Sequence, residues 1–272
     1  MSKVFAQPFH AMPGLLSALK AIGAAMALAF TVTSAVAQTT APPLRVLTTG
    51  AFKQVVVALI PDFEARMGVK VDLLSDTAGG LSKRIESGET FDVVFLTPAG
   101  LNTLSSQGKV DPANVKPVAR VGIGVAVREG APLPPLESVE QFKHAVLNAR
   151  KVAYIDPASG GSSGIYLDGL FKRLGIADDV RPKAVLVPGG YAAERVANGE
   201  ADLVIHQVSE ILPVKGVTLA GTLPKEIQSY TTYGYGVSPS TRMRAAAEGF
   251  VNAFTASSAA DVIRAKGMDI AQ

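Results

Sequence analysis

The 272-residue sequence has no cysteine, no tryptophan and only three histidines. The missing cysteines exclude a disulfide framework, so stability has to come from a packed core. His144 and His206 are the histidines beyond the N-terminal segment. Neither has a second histidine nearby, so no metal centre and no cofactor are expected. A Walker loop and a dinucleotide fingerprint are absent, and no Ser-His-Asp order is recognisable. Charge of one sign is scarce as well: the formal net charge is +3, which gives no basic surface for nucleic acid. Long apolar runs are limited to Ala21–Phe30, which follows Lys20 and leads into TVTSAVAQ. With Ala35-Val36-Ala37 as a cleavage site, Met1–Ala37 reads as a secretory signal, too short in its apolar part for a comfortable membrane span. The mature chain is expected to be periplasmic, soluble and monomeric.

What is present is a chain that is 48% hydrophobic, enough for one large or two modest domains with real cores. Strands and helices alternate with short connections. Leu44–Thr48 reads as a strand, Thr49-Gly50-Ala51 as a tight turn, and Phe52–Met67 as a helix with apolar residues at helical spacing. Strand Val69–Leu74, turn 76–80, helix Leu81–Ser87, strand Phe91–Leu96 and a helix from Pro98 to Gln107 follow. Val118–Val127 is a long apolar strand, and a Pro-rich turn then leads to the helix Val139–Asn148. Strand Lys151–Ile155, helix Ile165–Leu174, strand Ala184–Val187, helix Tyr191–Asn198 and strand Leu203–His206 come next. Gln228–Val237 is extended, and two helices close the chain, about Pro239–Ala256 and Ala259–Gly267. This grammar predicts an α/β fold with mostly parallel sheets and ligands outside the carboxyl ends of the strands.

Between the predicted strand 151–155 and the predicted helix at Ile165 lies DPASGGSSG. Glycines allow close backbone approach, Ser159, Ser162 and Ser163 carry hydroxyls, and a helix N-terminus offers unpaired N–H groups. The loop therefore reads as an anion cradle, with Gly160 and Gly161 at its centre. An internal echo runs through the chain. Gly79-Gly80, Arg84–Glu89 and Asp92–Phe95 recur as Gly189-Gly190, Arg195–Glu200 and Asp202–Ile205, which suggests two similar lobes facing each other.

The stretches TTGAF, AGGLSKRIESGE, DVVF and ANGEADLVI resemble the periplasmic molybdate-binding proteins, two-lobed type II solute-binding proteins of ABC importers. The resemblance spans Leu44–Met268. It implies a clamshell with a two-strand hinge, one lobe formed by 44–120 plus 228–272 and the other by 121–227. It also implies that hydroxyls and backbone amides hold a small anion. Where the family's oxyanion-binding serines fall, this chain has Ala51 and Ala78. Alanine donates no side-chain hydrogen bond, and each lost donor to a buried oxyanion costs roughly 1–3 kcal/mol. Molybdate is therefore disfavoured. YIDPASGGSSGIY and DLVIHQVSE are similar to the aconitate isomerase branch of the same superfamily. That branch implies an allylic proton shift between cis- and trans-aconitate.

On this reading a tricarboxylate meets Thr49, Gly50, Ala51 and Lys53 at the first turn, Thr77, Ala78 and Gly79 at the second, Thr97 at the third, and the Gly/Ser loop opposite. Lys53 is the favoured cation, with Lys83, Arg84 and Arg195 read as solvated helix residues. His206 follows the apolar strand 203–205, so it lies at a carboxyl end beside Gln207. Its ordinary pKa suits it to take and return a proton. Glu210 is an alternative base, or else a salt partner, and Tyr166, Tyr191 and Tyr233 are possible phenol donors. Two functions stay open: an isomerase with His206 as base, or a binding protein that hands a small anion (an organic carboxylate, or molybdate or tungstate) to an ABC permease.

Overall fold

The structure is a computed structural model and describes residues 42–271; the expected signal and its cleavage after Ala37 lie outside the described residues. The elements in chain order are β1 (Leu44–Thr49), α1 (Gly50–Met67), β2 (Val71–Asp76), α2 (Ala78–Glu86), β3 (Val93–Leu96), α3 (Pro98–Ser106), β4 (Lys116–Arg128), α4 (Val139–Asn148), β5 (Val152–Ile155) and α5 (Ser162–Arg173). They continue with α6 (Ala177–Val180), β6 (Ala184–Val187), α7 (Ala193–Ala197), β7 (Leu203–Gln207), α8 (Val208–Ile211), β8 (Val217–Thr222), β9 (Tyr230–Val237), α9 (Arg244–Thr255), α10 (Ala259–Ala265) and β10 (Asp269–Ile270).

Two repeats of one strand order build the clamshell. In the first, β1 lies between β2 and β3, all parallel. In the second, β5 lies between β6 and β7, again all parallel. The echo in the sequence thus corresponds to matching positions: the glycine turns follow the outer strands β2 and β6, and the later motifs form the inner strands β3 and β7. The sheets are mixed rather than mostly parallel. The inner strands meet the long hinge strands antiparallel, β3 on β9 and β7 on β4. Two further strands, β8 and β10, also add to β4 antiparallel.

β4 belongs to both sheets. Lys116–Gly122 pair with β9, and Ile123–Val127 pair with β7. At the junction the side chain of Gln228 takes the place of a strand backbone: its Oε1 accepts from Ile123 N and its Nε2 donates to Ile123 O, both at 2.9 Å.

Packing fixes the elements that carry the cleft. On the first sheet Phe52, Phe63, Phe95, Phe250 and Phe254 interlock, with Phe95 and Phe254 centroids 4.6 Å apart and Phe63 edge-on to Phe250 at 4.8 Å. These rings clamp α1 between the sheet and α9, so its first turn is held where β1 ends. On the second sheet Tyr154, Leu167, Leu170, Phe171 and Ile205 lock α5 against β5 and β7. The helix starts at Ser162, three residues before the expected Ile165. Gly164 makes this possible, because a Cβ there would lie 2.2 Å from Ile155 O.

Candidate functional site

A cavity with about 570 Å³ of atom-free space, its open mouth included, lies where the carboxyl ends of both strand sets converge. Thr49, Gly50, Ala51, Lys53, Thr77, Ala78, Gly161, Ser162, Ser163, His206 and Gln207, all expected from sequence, line it. Ser75, Asp76, Gly189, Gly190 and Tyr191 join them. The Asp76 carboxylate is held by its own lobe, accepting from Thr77 N at 2.7 Å and from Arg84 Nε at 2.9 Å.

The strand-Thr-helix unit occurs at α1, α2 and α3, with different outcomes. Thr77 and Thr97 cap their helices, their hydroxyls accepting from Gly80 N and Gly100 N. Thr97 is therefore corrected: it does not line the cavity, and its hydroxyl is committed to α3. Thr49, in the same position before α1, makes no cap bond, and its buried Oγ1 has no partner. Across the cleft, Gly161 is the N-cap of α5, so that helix also lacks a side-chain cap. Two long helices thus aim uncapped N-termini at one cavity, the arrangement that favours an anion.

Gly79, Ser159 and Gly160, expected in the cavity, instead close its lip. Thr77 Oγ1 donates to Ser159 O at 2.5 Å, and Gly79 N donates to Gly160 O at 3.1 Å. Gln54 Nε2 donates to the Tyr191 hydroxyl at 2.5 Å, and Lys53 Nζ sits 5.9 Å from that ring's centroid. Among the described residues Lys53 is the one Lys or Arg lining the cavity. Arg84 and Arg195 serve Asp76, Glu89 and Glu200. Tyr166 lies elsewhere, donating to Ile227 O.

The floor is polar and closed to solvent. His206 is 1% exposed, Gln207 2% and Glu210 6%. α8 is a single turn that starts directly after β7, and it brings Glu210 back over the strand end. His206 Nε2 lies 3.3 Å from Glu210 Oε2. Glu210 Oε1 presses on α1, where a Cβ on Gly50 would come within 2.5 Å of it. Burial pushes the His206 imidazole down to about 3 and the Glu210 carboxyl up to about 8, each toward its neutral form. Burial also raises Tyr233 strongly. The Tyr233 hydroxyl donates to Gln207 Oε1 at 3.0 Å, which orients the amide and leaves Gln207 Nε2 without a partner. His206 Nδ1 is likewise buried and unpartnered.

Thr49 Oγ1, His206 Nδ1 and Gln207 Nε2 are thus unsatisfied atoms of three cavity-lining residues. Buried polar groups in folded proteins are mostly paired. Of the five unpaired side-chain atoms among the described residues, three belong to this cavity's lining, the others being Arg120 Nε and Ser209 Oγ, and a polar ligand would complete the three. Sequence reasoning left Glu210 open because His206 reads as a strand residue. The contact arises because the chain turns directly from β7 into the single turn of α8, which folds Glu210 back onto the last residues of the strand.

The chain is 30% identical over 231 residues to an aconitate isomerase from a Pseudomonas species, covering 83% of this chain and 87% of that protein. Among solved structures it is similar to the periplasmic molybdate-binding protein of Azotobacter vinelandii (22% identity, TM-score 0.70, 84% of this chain and 100% of that one). It is also similar to a sulfate-binding protein of Mycobacterium tuberculosis (18% identity, TM-score 0.67, 84% and 86%). At such identities these structures speak for the fold alone. The sequence pattern of the bacterial extracellular solute-binding proteins matches residues 44–269, and with two facing repeats, a shared hinge strand and a polar cleft between them, the chain belongs to that family.

Proposed function

We propose that this chain is a periplasmic clamshell for a small polycarboxylate and acts as an aconitate isomerase. The single observation that carries the proposal is that one cavity is lined by Thr49, His206 and Gln207, whose Oγ1, Nδ1 and Nε2 are buried and unpaired, together with two uncapped helix N-termini. In this reading Met1–Ala37 is removed on export. Residues 44–120 with 228–272 form one lobe and 121–227 the other, and the mature protein is a monomer. The first-turn N–H groups of α1 and α5, Lys53 and Gln207 Nε2 hold the carboxylates.

His206 takes a proton from the methylene carbon of aconitate. The C–H electron pair enters the conjugated system, the C=C bond moves by one carbon, and the proton returns to the former vinyl carbon. The charge that develops on the carboxylates falls on donors already in place. The 30% identical isomerase supports this reading. Ala51 and Ala78 on the cavity wall weigh against molybdate, since neither donates from its side chain.

A second reading has its own support. The family is one of solute-binding proteins, and a cleft that closes over its ligand suits delivery of a small anion to an ABC permease. Proton NMR of the purified protein with cis-aconitate separates the two. The isomerase reading expects trans-aconitate to appear and His206→Ala to abolish it. No turnover, with thermal stabilisation by a carboxylate, establishes the binder. Stabilisation by molybdate or tungstate alone removes both carboxylate readings.

A further inference from the structure

The geometry points to Glu210 as the place where the abstracted proton is stored, with His206 as the relay between it and the substrate. This rests on the isomerase reading and adds a residue to it. A lone imidazole with 1% exposure is a poor base, because the imidazolium it must become has no water around it. His206 is not alone: its Nε2 lies 3.3 Å from Glu210 Oε2, and its Nδ1 is the unpartnered nitrogen.

Two states of the pair follow from which nitrogen bears the hydrogen. With Glu210 ionised, its carboxylate accepts from Nε2–H, and Nδ1 presents a lone pair. With Glu210 protonated, the acid donates to Nε2, and Nδ1 carries the hydrogen. One proton converts the first state into the second without forming an imidazolium. In the forward step the substrate C–H bond breaks and Nδ1–H forms, while Nε2–H breaks and Oε2–H forms. The C–H electron pair stays on the substrate as its delocalised anion. Reversal of the same two transfers returns the proton to the other carbon. The burial that lowers His206 and raises Glu210 to about 8 thus gives the pair a working basicity set by the carboxyl, close to neutral pH.

The groups that face Glu210 are consistent with this poise. α1 contributes Gly50 against Oε1, with Lys53 one turn on. β7 contributes His206, β9 contributes Tyr233, and the 189–191 turn contributes Tyr191, while Asp76 lies on the cavity wall already paired to Arg84. No cation forms an ion pair with the Glu210 carboxylate among the described residues, so nothing there anchors it in the ionised form.

The test pairs kinetics with a tautomer measurement. Rates with cis-aconitate are taken from pH 6 to 9.5. Imidazole ¹⁵N shifts of His206 are followed over the same range in the labelled protein, for wild type and Glu210→Gln. The proposal expects the rate to rise with pH to a plateau above about 8, and His206 to switch from Nδ1–H to Nε2–H with the same midpoint. In Glu210→Gln the switch and the rising limb are both expected to vanish, with a loss in kcat of about 100-fold, while trans-aconitate still raises the melting temperature. A variant within about threefold of wild type, with its limb intact, overturns the relay. Turnover without a tautomer switch overturns the relay and leaves the isomerase. A switch without turnover overturns the isomerase reading and the relay with it.

Discussion

Gly79 and Gly160 meet backbone to backbone across the mouth of the cleft. Gly79 N donates to Gly160 O at 3.1 Å, and a Cβ on Gly79 would lie 2.8 Å from Gly160 Cα. Closure at this point needs the absence of a side chain on both sides of the lip. Gly79→Ala is therefore expected to hold the lobes apart while leaving each core untouched. The outcome is a ligand affinity reduced about tenfold with an unchanged melting temperature, read by calorimetric titration and thermal unfolding. Undiminished affinity would show that the cleft does not close on its ligand at this lip.

Thr77 and Thr97 separate capping from latching. Both cap a helix, so Thr77→Ala and Thr97→Ala each lose about 1 kcal/mol of stability. Thr77 alone also bonds Ser159 O across the cleft, a contact worth about 0.5–1.5 kcal/mol. Affinity is expected to fall severalfold in Thr77→Ala and to hold in Thr97→Ala. Equal affinities would remove Thr77 from the latch.

The buried pair on the floor predicts the pH dependence of stability. His206 is held neutral below its ordinary value, so the unfolded chain binds more protons and stability falls as pH drops from about 6.5 toward 3. Glu210 is raised, so the folded chain binds more protons and stability falls as pH climbs from about 4.5 to 8. The two oppose each other between 4.5 and 6.5. Urea denaturation should show a plateau there and a decline from 6.5 to 8, steepest at about 1.4 kcal/mol per pH unit. Glu210→Gln is expected to flatten that decline.

Gly50 and Gly164 are both tight, for different reasons. A methyl on Gly50 meets the movable end of Glu210, whereas one on Gly164 meets Ile155 O at 2.2 Å in the strand backbone. Gly164→Ala is expected to cost about 1–3 kcal/mol through the displacement of α5. Gly50→Ala is expected to leave stability near wild type and to swing Glu210 away from His206, cutting turnover at least tenfold. Melting curves and rates side by side check both; a stable, fully active Gly50→Ala would detach Glu210 from the reaction.

Periodicity and glycine stops made most elements legible, with helix Val139–Asn148 and strand Ala184–Val187 matching residue for residue. The echo between residues 79–95 and 189–205 revealed the doubled architecture. Three features were hidden. Ser162-Ser163-Gly164 has loop composition, yet it forms the first turn of α5, because tertiary packing against Ile155 outweighs weak helix propensity. β8 reads VTLAGT, too irregular for a period-two signal, and is defined by its pairing with β4. Thr97 looked equivalent to Thr49, and only the hydrogen-bond geometry shows that one hydroxyl is spent on its own helix and the other is free.

β4 also sets a rule for how this chain can change. Residues 116–122 carry the frame of one sheet and 123–127 that of the other. Adding or deleting a residue within it would turn side chains inside out in two places at once. Length is freer to drift at 132–135 in the Pro-rich turn, between the core-packed Ala131 and Leu136, than along this strand. A chimera that exchanges halves between relatives therefore has to inherit β4 whole from one parent, with its seams placed in the flanking loops.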